Sequence, residues 1–575
     1  MRRVSTGIRR PITWLAVAVL AVLVVLVALP LQGLVAATLQ PGASGSWTDV
    51  LASPLSASLF WGPLGNSLVV GLGTGLLASL LGGFLAWIVV MSDVPGRRVI
   101  GVLATIPFAL PSFAIALAWE SVFRNDRLGG NPGVLASLGV AVPDVLSWGV
   151  LPVTLTLVAH YYSLSFVVVA AALSNVGGDL LAAAELTGAS RVRIAARISL
   201  PVVAPALLSG FLLAFAEGVS NFAVPALLGL PVRFQTLSTR LYGSISTGDT
   251  ERGYVLSILL VVIAALVLWV GNRFTAGKSF ATITGKSSRP RRVSTGPWKW
   301  LVFGFAAALV TATTVVPGLV LAVSTVLRRT NSFDAGLTLH YWIGESDPDI
   351  AQGMRGVLRD PIALDAAIST VLLGLTVALG ATLVGLISAY VVTRLRRAKV
   401  VGGTISLLSY VPFLIPGIAF GAAFIAQFGA PIGPFPSLYG TFTILVVAGI
   451  AASLPFAFQT SRSALGQASG DLEEAAVIAG AGTARRLGRI VFPLASRGIV
   501  SGGILVFVTM VRDLSLVVLL VTPATPLLSV MTYRYASEGF AQSANAVTLV
   551  IAIVSVAATL LARRLQGASQ PWSNA

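Results

Sequence analysis

The chain contains no cysteine. Disulfides, thiolate metal sites and cysteine nucleophiles are therefore excluded. It has two histidines, His160 and His340, too few for an imidazole-based metal cluster. His160 falls on an apolar stretch, where a hydrogen-bonded packing role is the default. Charge is also scarce. Asp, Glu, Lys and Arg make up 10% of the 575 residues, against about 25% in soluble domains. A soluble protein of this length lacks the residues here to cover its surface. What is abundant is apolar: 56% of the residues are hydrophobic and mean hydropathy is +0.90. This composition excludes a soluble enzyme and a disordered scaffold and leaves a polytopic membrane protein in a lipid bilayer. The net charge of +17 would suggest nucleic acid on a soluble chain. Here it is read as loop arginines that set topology, with no nucleic-acid partner.

A helix needs about 20 apolar residues to cross the hydrocarbon. Charge-poor runs place twelve such segments, at about 12–37, 63–90, 99–119, 145–178, 203–229 and 253–272, then 300–327, 366–393, two within 400–461, 498–521 and 539–562. The first run is too long for the apolar core of a signal peptide and reads as a retained anchor. With the N-terminus inside and the segments alternating, 27 of the 38 Lys and Arg fall on the inner side. The acids reverse this bias, with 13 of 21 outside. Both termini are therefore expected in the cytoplasm.

The chain also repeats itself. Residues 179–201 (DLLAAAELTGASRVRIAARISLP) and 471–493 (DLEEAAVIAGAGTARRLGRIVFP) share ten identities at one constant offset, from Asp179/Asp471 to Pro201/Pro493. Pro107-Phe108-x-x-Pro111 matches Pro412-Phe413-x-x-Pro416. An even number of segments separates the two long copies, so both face the same side and the halves are parallel repeats. The expected organisation is a first repeat over 1–275, a basic cytoplasmic linker over 276–297, and a second repeat over 298–575.

Each long copy reads as a short helix against the inner membrane face. Asp471 and Glu474 have the spacing of a capping box; in the first copy Asp179 can cap, but Ala182 stands where the second glutamate would be. Small residues follow: Ala183, Ala184 and Gly188, or Ala475, Ala476 and Gly480. Small side chains let another surface approach the backbone closely. Pro201 and Pro493 start the next span, where a missing N–H costs nothing. Two such loops on one face point to a paired docking surface.

The pattern Glu474-Ala475-Ala476-x-x-x-Gly480, nine residues, then Ile490-x-x-Pro493 resembles the EAA loop of ABC importer permeases. The first copy, Ala182-Ala183-Ala184-Glu185-x-x-Gly188 with Pro201, departs from it at the leading glutamate. Val511-Arg512-Asp513-Leu514 and Thr338-Leu339-His340-Tyr341-Trp342 resemble stretches of the ferric-iron subgroup of fused permeases. The resemblance implies an all-α type I importer fold with twelve transmembrane helices in two parallel six-helix repeats, in a bacterial plasma membrane. It implies that the two loops are coupling helices seated in two copies of a separate ATPase, which binds ATP and Mg. It implies an extracytoplasmic solute-binding protein on the outer face, and a small solute such as ferric iron, a small chelate or an anion. The chain itself is expected to catalyse nothing and to hold no cofactor or metal.

Glu217, Arg512 and Asp513 are ionisable residues within spans. Such groups usually face a cavity or each other. They read either as the lining of a translocation path or as a structural pairing of Arg512 with Glu217 across the halves. Asp93-x-x-Gly96-Arg97-Arg98 partly matches a signature loop of major facilitator transporters, so a secondary carrier working without an ATPase is the alternative. Ala276-Gly277-Lys278-Ser279 lacks the first glycine of a phosphate-binding loop and follows a span rather than a strand.

Overall fold

The computed structural model describes residues 2–40, 44–174, 186–187, 193, 197, 200–275, 294–394, 399–467, 475–476 and 478–566. The first half comprises α1 (Thr13–Thr38) and α2 (Ala57–Met91), α3 (Arg97–Leu103) and α4 (Ser112–Phe123), α5 (Val150–Ser174) and α6 (Leu200–Ser220), α7 (Leu237–Ser246) and α8 (Thr250–Thr275). The second half begins with α9 (Gly296–Ser324) and a hairpin of β1 (Leu327–Arg329) and β2 (Ser332–Leu337). It continues with α10 (Pro361–Arg394), α11 (Lys399–Tyr410), α12 (Gly417–Phe428) and α13 (Phe442–Gln467). It ends with α14 (Phe492–Val511), α15 (Leu528–Ser537) and α16 (Ala541–Gln566).

Among the described residues, ten helices are long and apolar enough to cross a membrane. They coincide with ten of the twelve segments expected from the sequence. The third and ninth segments differ: each is broken in two. In the third, α3 and α4 are separated by residues 104–111; in the ninth, the chain bends by 113° between Leu414 and Gly417. Both breaks fall on the repeated Pro-Phe-x-x-Pro. Proline cannot donate to the helical ladder and its ring collides with the preceding turn. Pro111 and Pro416 adopt extended ψ values of 144° and 134° and restart the chain as α4 and α12.

Four other prolines stay inside spans by a different device. Among the described residues, five-residue π-turns occur at Val24–Ala28, Ala57–Trp61, Thr311–Val315 and Leu487–Val491. Each ends two residues before a proline (Pro30, Pro63, Pro317, Pro493). A π-turn widens the ladder by one residue, which makes room for the proline ring without ending the helix.

The first helix of each half packs on the other half. The end of α1 lies along α12, and α9 lies along α4 and α3. Hydrogen bonds tie the second crossing: Tyr162 and Thr313 hydroxyls lie 3.0 Å apart, and Thr314 donates to the Leu103 carbonyl at 3.2 Å. Within each half, α2 crosses α5 and α10 crosses α13 at a glycine. A Cβ on Gly82 would lie under 3.0 Å from the backbone of Tyr162 and Phe166, and one on Gly385 equally close to that of Ala457 and Phe458. These are matching positions in the two repeats.

The loop Asp93–Arg98 has a structural task. The Asp93 carboxylate accepts hydrogen bonds from the Thr295 amide at 2.8 Å and the Thr295 hydroxyl at 2.7 Å. Gly96 takes a left-handed φ of 68° to open α3, and Arg97 donates to the Val89 carbonyl at 3.1 Å. The loop thus clasps the residues that lead into α9.

Two outcomes follow from this packing. Gly82→Val or Gly385→Val is expected to destabilise the detergent-solubilised protein by about 1–3 kcal/mol through overpacking against backbone, read as a lower thermal midpoint. The two Thr295 hydrogen bonds hold the Asp93 carboxyl below the usual carboxylate range. Their contribution is therefore complete above the ordinary aspartate pKa and is lost as pH falls through the lowered folded value. Tryptic cleavage after Arg291 or Arg292 is expected to be accelerated by Asp93→Asn at neutral pH, where the carboxylate is ionised; equal rates in the two proteins at neutral pH would refute the clasp.

Candidate functional site: a cavity between the halves and a loop on one face

A cavity of about 210 Å³ lies where the two halves meet. Both helix breaks border it, through Phe108 and through Pro412, Phe413 and Ile415. The ends of α6 and α14 contribute Glu217, Ser220 and Asn221 from one half and Thr509, Arg512 and Asp513 from the other. The three residues singled out at membrane depth in the sequence, Glu217, Arg512 and Asp513, therefore share one cavity.

Their partners differ from a simple pairing. Arg512 donates to the Leu110 carbonyl at 3.1 Å, and its guanidinium carbon stands 4.2 Å from the Phe108 ring centroid, a cation–π contact. Glu217 and Asp513 lie within electrostatic range of Arg512. No Arg512–Glu217 ion pair within 4.0 Å is formed among the described residues. The Asp513 carboxylate accepts from the Leu516 amide at 2.9 Å. Asn221, its counterpart in the first repeat, accepts from the Val224 amide at the same distance. Each caps the short turn that follows its span, so Asp513 has a structural role beside its place on the cavity wall. Asn221 also donates to the hydroxyls of Tyr161, at 3.0 Å, and Ser112, at 3.1 Å.

Sequence reasoning had assigned His160 a packing role. It is 3% exposed and packs against Tyr161, with ring centroids 4.6 Å apart, and Phe108, at 6.0 Å. Its Nδ1 has no hydrogen-bond partner among the described residues, and the residue lines the cavity. Tyr161, Asn221 and Phe108 had not been proposed as site residues. The usable signal was the polar pair His160-Tyr161 in an otherwise apolar span, opposite the Pro-Phe motif. His340 lies just after the β1–β2 hairpin and bonds the Met354 carbonyl through Nε2 at 2.9 Å. Among the described residues no group of three His, Asp or Glu side chains could hold a metal ion.

The candidate docking loop is described only in part. Ala182, Ala183, Ala184, Glu185, Gly188 and Glu474 lie outside the described residues, as do both capping positions. Ala475 and Ala476 are helical. That helix ends at Gly480, whose φ is +81°. The Ala481 amide donates to the Ala476 carbonyl at 2.9 Å, the six-to-one bond of a Schellman closure. Gly480 therefore stops the helix in a conformation that disfavours a Cβ. Ala475, Ile478 and Gly480 are exposed. Pro201 is the second residue of α6 as described, with residues 198 and 199 outside the described residues. Pro493, which the sequence had suggested as a fresh helix start, instead lies within a continuous helical run that begins at Thr483 and passes through the π-turn Leu487–Val491 into α14.

Known proteins resemble the chain along both halves. The Ferric transport system permease protein FbpB of Actinobacillus pleuropneumoniae is 23% identical over 530 residues, 86% of this chain and 70% of the relative. The Putative ferric transport system permease protein FbpB 1 of Haemophilus influenzae is 24% identical over 485 residues, 80% of this chain and 70% of the relative. The Sulfate transport system permease protein CysT of Escherichia coli is 27% identical over 242 residues, which is 42% of this chain and 83% of that shorter relative. The profile of one family matches twice, at residues 75–277 and again at 381–573. Together with the repeated helix breaks and the shared cavity, this double match means that the chain belongs to the binding-protein-dependent transport system inner membrane component family.

Proposed function

We propose that the chain is the whole transmembrane unit of an ATP-driven importer, with the cavity between the halves as part of the solute path. The observation that carries this reading is the double family match about a cavity bordered by matching positions of both repeats. In parallel-repeat transporters the solute site lies at the repeat interface, and rocking of one half against the other exposes it to alternate sides. In this reading both termini, the linker and the two long loops face the cytoplasm. Each loop seats in one of two copies of a separate ATPase, which supplies the ATP and Mg chemistry. A solute-binding protein delivers cargo to the opposite face, where the β1–β2 hairpin lies. The chain performs no covalent chemistry.

Ferric iron or a small chelate is the favoured solute. The two relatives that cover most of the chain are named for ferric transport. The cavity wall also carries two carboxylates, Glu217 and Asp513, against one guanidinium, Arg512, a balance that suits a cation better than a dianion such as sulfate. The secondary-carrier alternative rested on the Asp93–Arg98 loop, and that loop's hydrogen bonds to Thr295 give it a structural explanation.

The test is to purify the chain with the products of its neighbouring genes and measure solute-stimulated ATP hydrolysis. Gly480→Val strains the left-handed residue by about 1–2 kcal/mol. Combined with Glu474→Ala, it is expected to weaken ATPase association about tenfold while the permease stays monodisperse. Unchanged association would remove the loop from the docking surface.

A further inference from the structure

The cavity is bordered by matching positions of the two repeats, yet their chemistry is not matched. At the constant repeat offset, Arg512 corresponds to Ser220, Asp513 to Asn221 and Glu217 to Thr509; Phe108 corresponds to Phe413. The two aromatic seats are thus retained, but among the described residues only the one at Phe108 holds a cation.

That cation bridges the halves. Arg512 comes from the end of α14, whereas Phe108 and the Leu110 carbonyl belong to the break between α3 and α4. The Leu110 carbonyl is open to it because the helical ladder is interrupted there. The amide of Ala114, four residues on, donates to Pro111 instead. The contact therefore uses a backbone acceptor that the proline motif creates. An arginine at membrane depth needs a partner throughout any movement, and the wall offers two carboxylates. Glu217 lines the same cavity from the first half, within electrostatic range of Arg512 without an ion pair to it, and is hydrogen-bonded by the Tyr161 side chain. The Asp513 carboxylate, next to Arg512 in the chain, is engaged by the Leu516 amide.

We propose that Arg512 is a two-position latch on the solute path. In the structure described it is seated on Phe108 and the Leu110 carbonyl, which holds the break of the first half against α14. When the halves rock apart it transfers to Glu217, so the guanidinium stays partnered while the passage between the two broken spans opens. The proposal rests on the cavity being the solute path and adds the residue that closes it.

The absence of native cysteine makes the test direct. Thr509 lines the cavity and its hydroxyl donates to the Val506 carbonyl of its own helix, at 2.9 Å. Thr509→Cys in proteoliposomes reports cavity access through the rate of modification by a membrane-impermeant maleimide. On that background Arg512→Met and Phe108→Leu are each expected to raise the rate about tenfold, since the first removes both charge-dependent contacts and the second removes the cation–π contact. Arg512→Lys, which keeps the charge, should stay near the parental rate. Glu217→Gln should lower the rate severalfold, because the open arrangement loses its partner. Parental rates in both Arg512→Met and Phe108→Leu would overturn the latch. Rescue by Met rather than Lys would reduce Arg512 to a packing role, and an unchanged or faster rate in Glu217→Gln would overturn the transfer. The measurement needs no ATPase, so its failure is distinct from a failure of solute-stimulated ATP hydrolysis.

Discussion

A backbone carbonyl or amide without a partner is costly in hydrocarbon, so a chain that crosses a membrane can leave the helix only where protein or a water-accessible cavity covers the break. This chain leaves it twice at the same place in its two repeats. Pro107 to Pro111 and Pro412 to Pro416 interrupt the third and ninth segments, and both interruptions border the cavity between the halves. The position of the cavity follows from that constraint. The freed Leu110 carbonyl takes the Arg512 guanidinium, and the span ends nearby are finished by Asn221 and Asp513, each capping the turn after its helix. At Pro30, Pro63, Pro317 and Pro493 the chain instead places a π-turn before the proline, where the ladder is stretched but not abandoned.

The halves are held together by exchange as well as by the cavity wall. Helix α1 leaves its own repeat to lie on α12, and α9 returns the exchange on α3 and α4. Each broken span is thus supported from outside by the other half's first helix. The Asp93–Thr295 clasp fixes the start of α9 to the end of α2, at the point where the linker hands the chain to the second repeat. Movement of one half relative to the other must then carry the partner's first helix with it. This couples the outer surface of each repeat to the break that lines the path.

Much of this was legible in the residues. Long charge-free runs located ten spans, most of them within a few residues, because the hydrocarbon thickness admits few alternatives; the expected 203–229 and 498–521 overran helices that end at Ser220 and Val511. The paired loops and the Pro-Phe-x-x-Pro match disclosed the parallel repeats. The breaks themselves were not read, because a charge-free run of the right length looks the same whether or not its prolines interrupt it. Glu217, Arg512 and Asp513 were found because ionisable groups stand out against an apolar background. His160, Tyr161 and Asn221 were not, since a buried polar residue in a span is as compatible with packing as with a path, and only the fold shows which face it takes. The Asp93–Arg98 loop was misleading for the same reason: its residues were noticed, but their partner lies 202 positions away at Thr295.

Fusion of the two repeats in one chain has a consequence for the cavity. In a dimer of identical subunits every residue on the wall faces its own copy across the axis, so an Arg512 in each would place two guanidinium groups in one small space, and a Glu217 in each two carboxylates. Like charges at such a distance in a low-dielectric setting repel strongly. A fused chain is free of that symmetry. It sets Arg512 opposite Ser220 and Glu217 opposite Thr509, so that a single guanidinium shares a space of about 210 Å³ with the Glu217 and Asp513 carboxylates, and the second aromatic seat, at Phe413, holds no cation among the described residues. The two halves retain the same helices, breaks and caps because backbone hydrogen bonding demands them in both. They differ in charge at the centre because there a mismatch between halves is what allows opposite charges to meet.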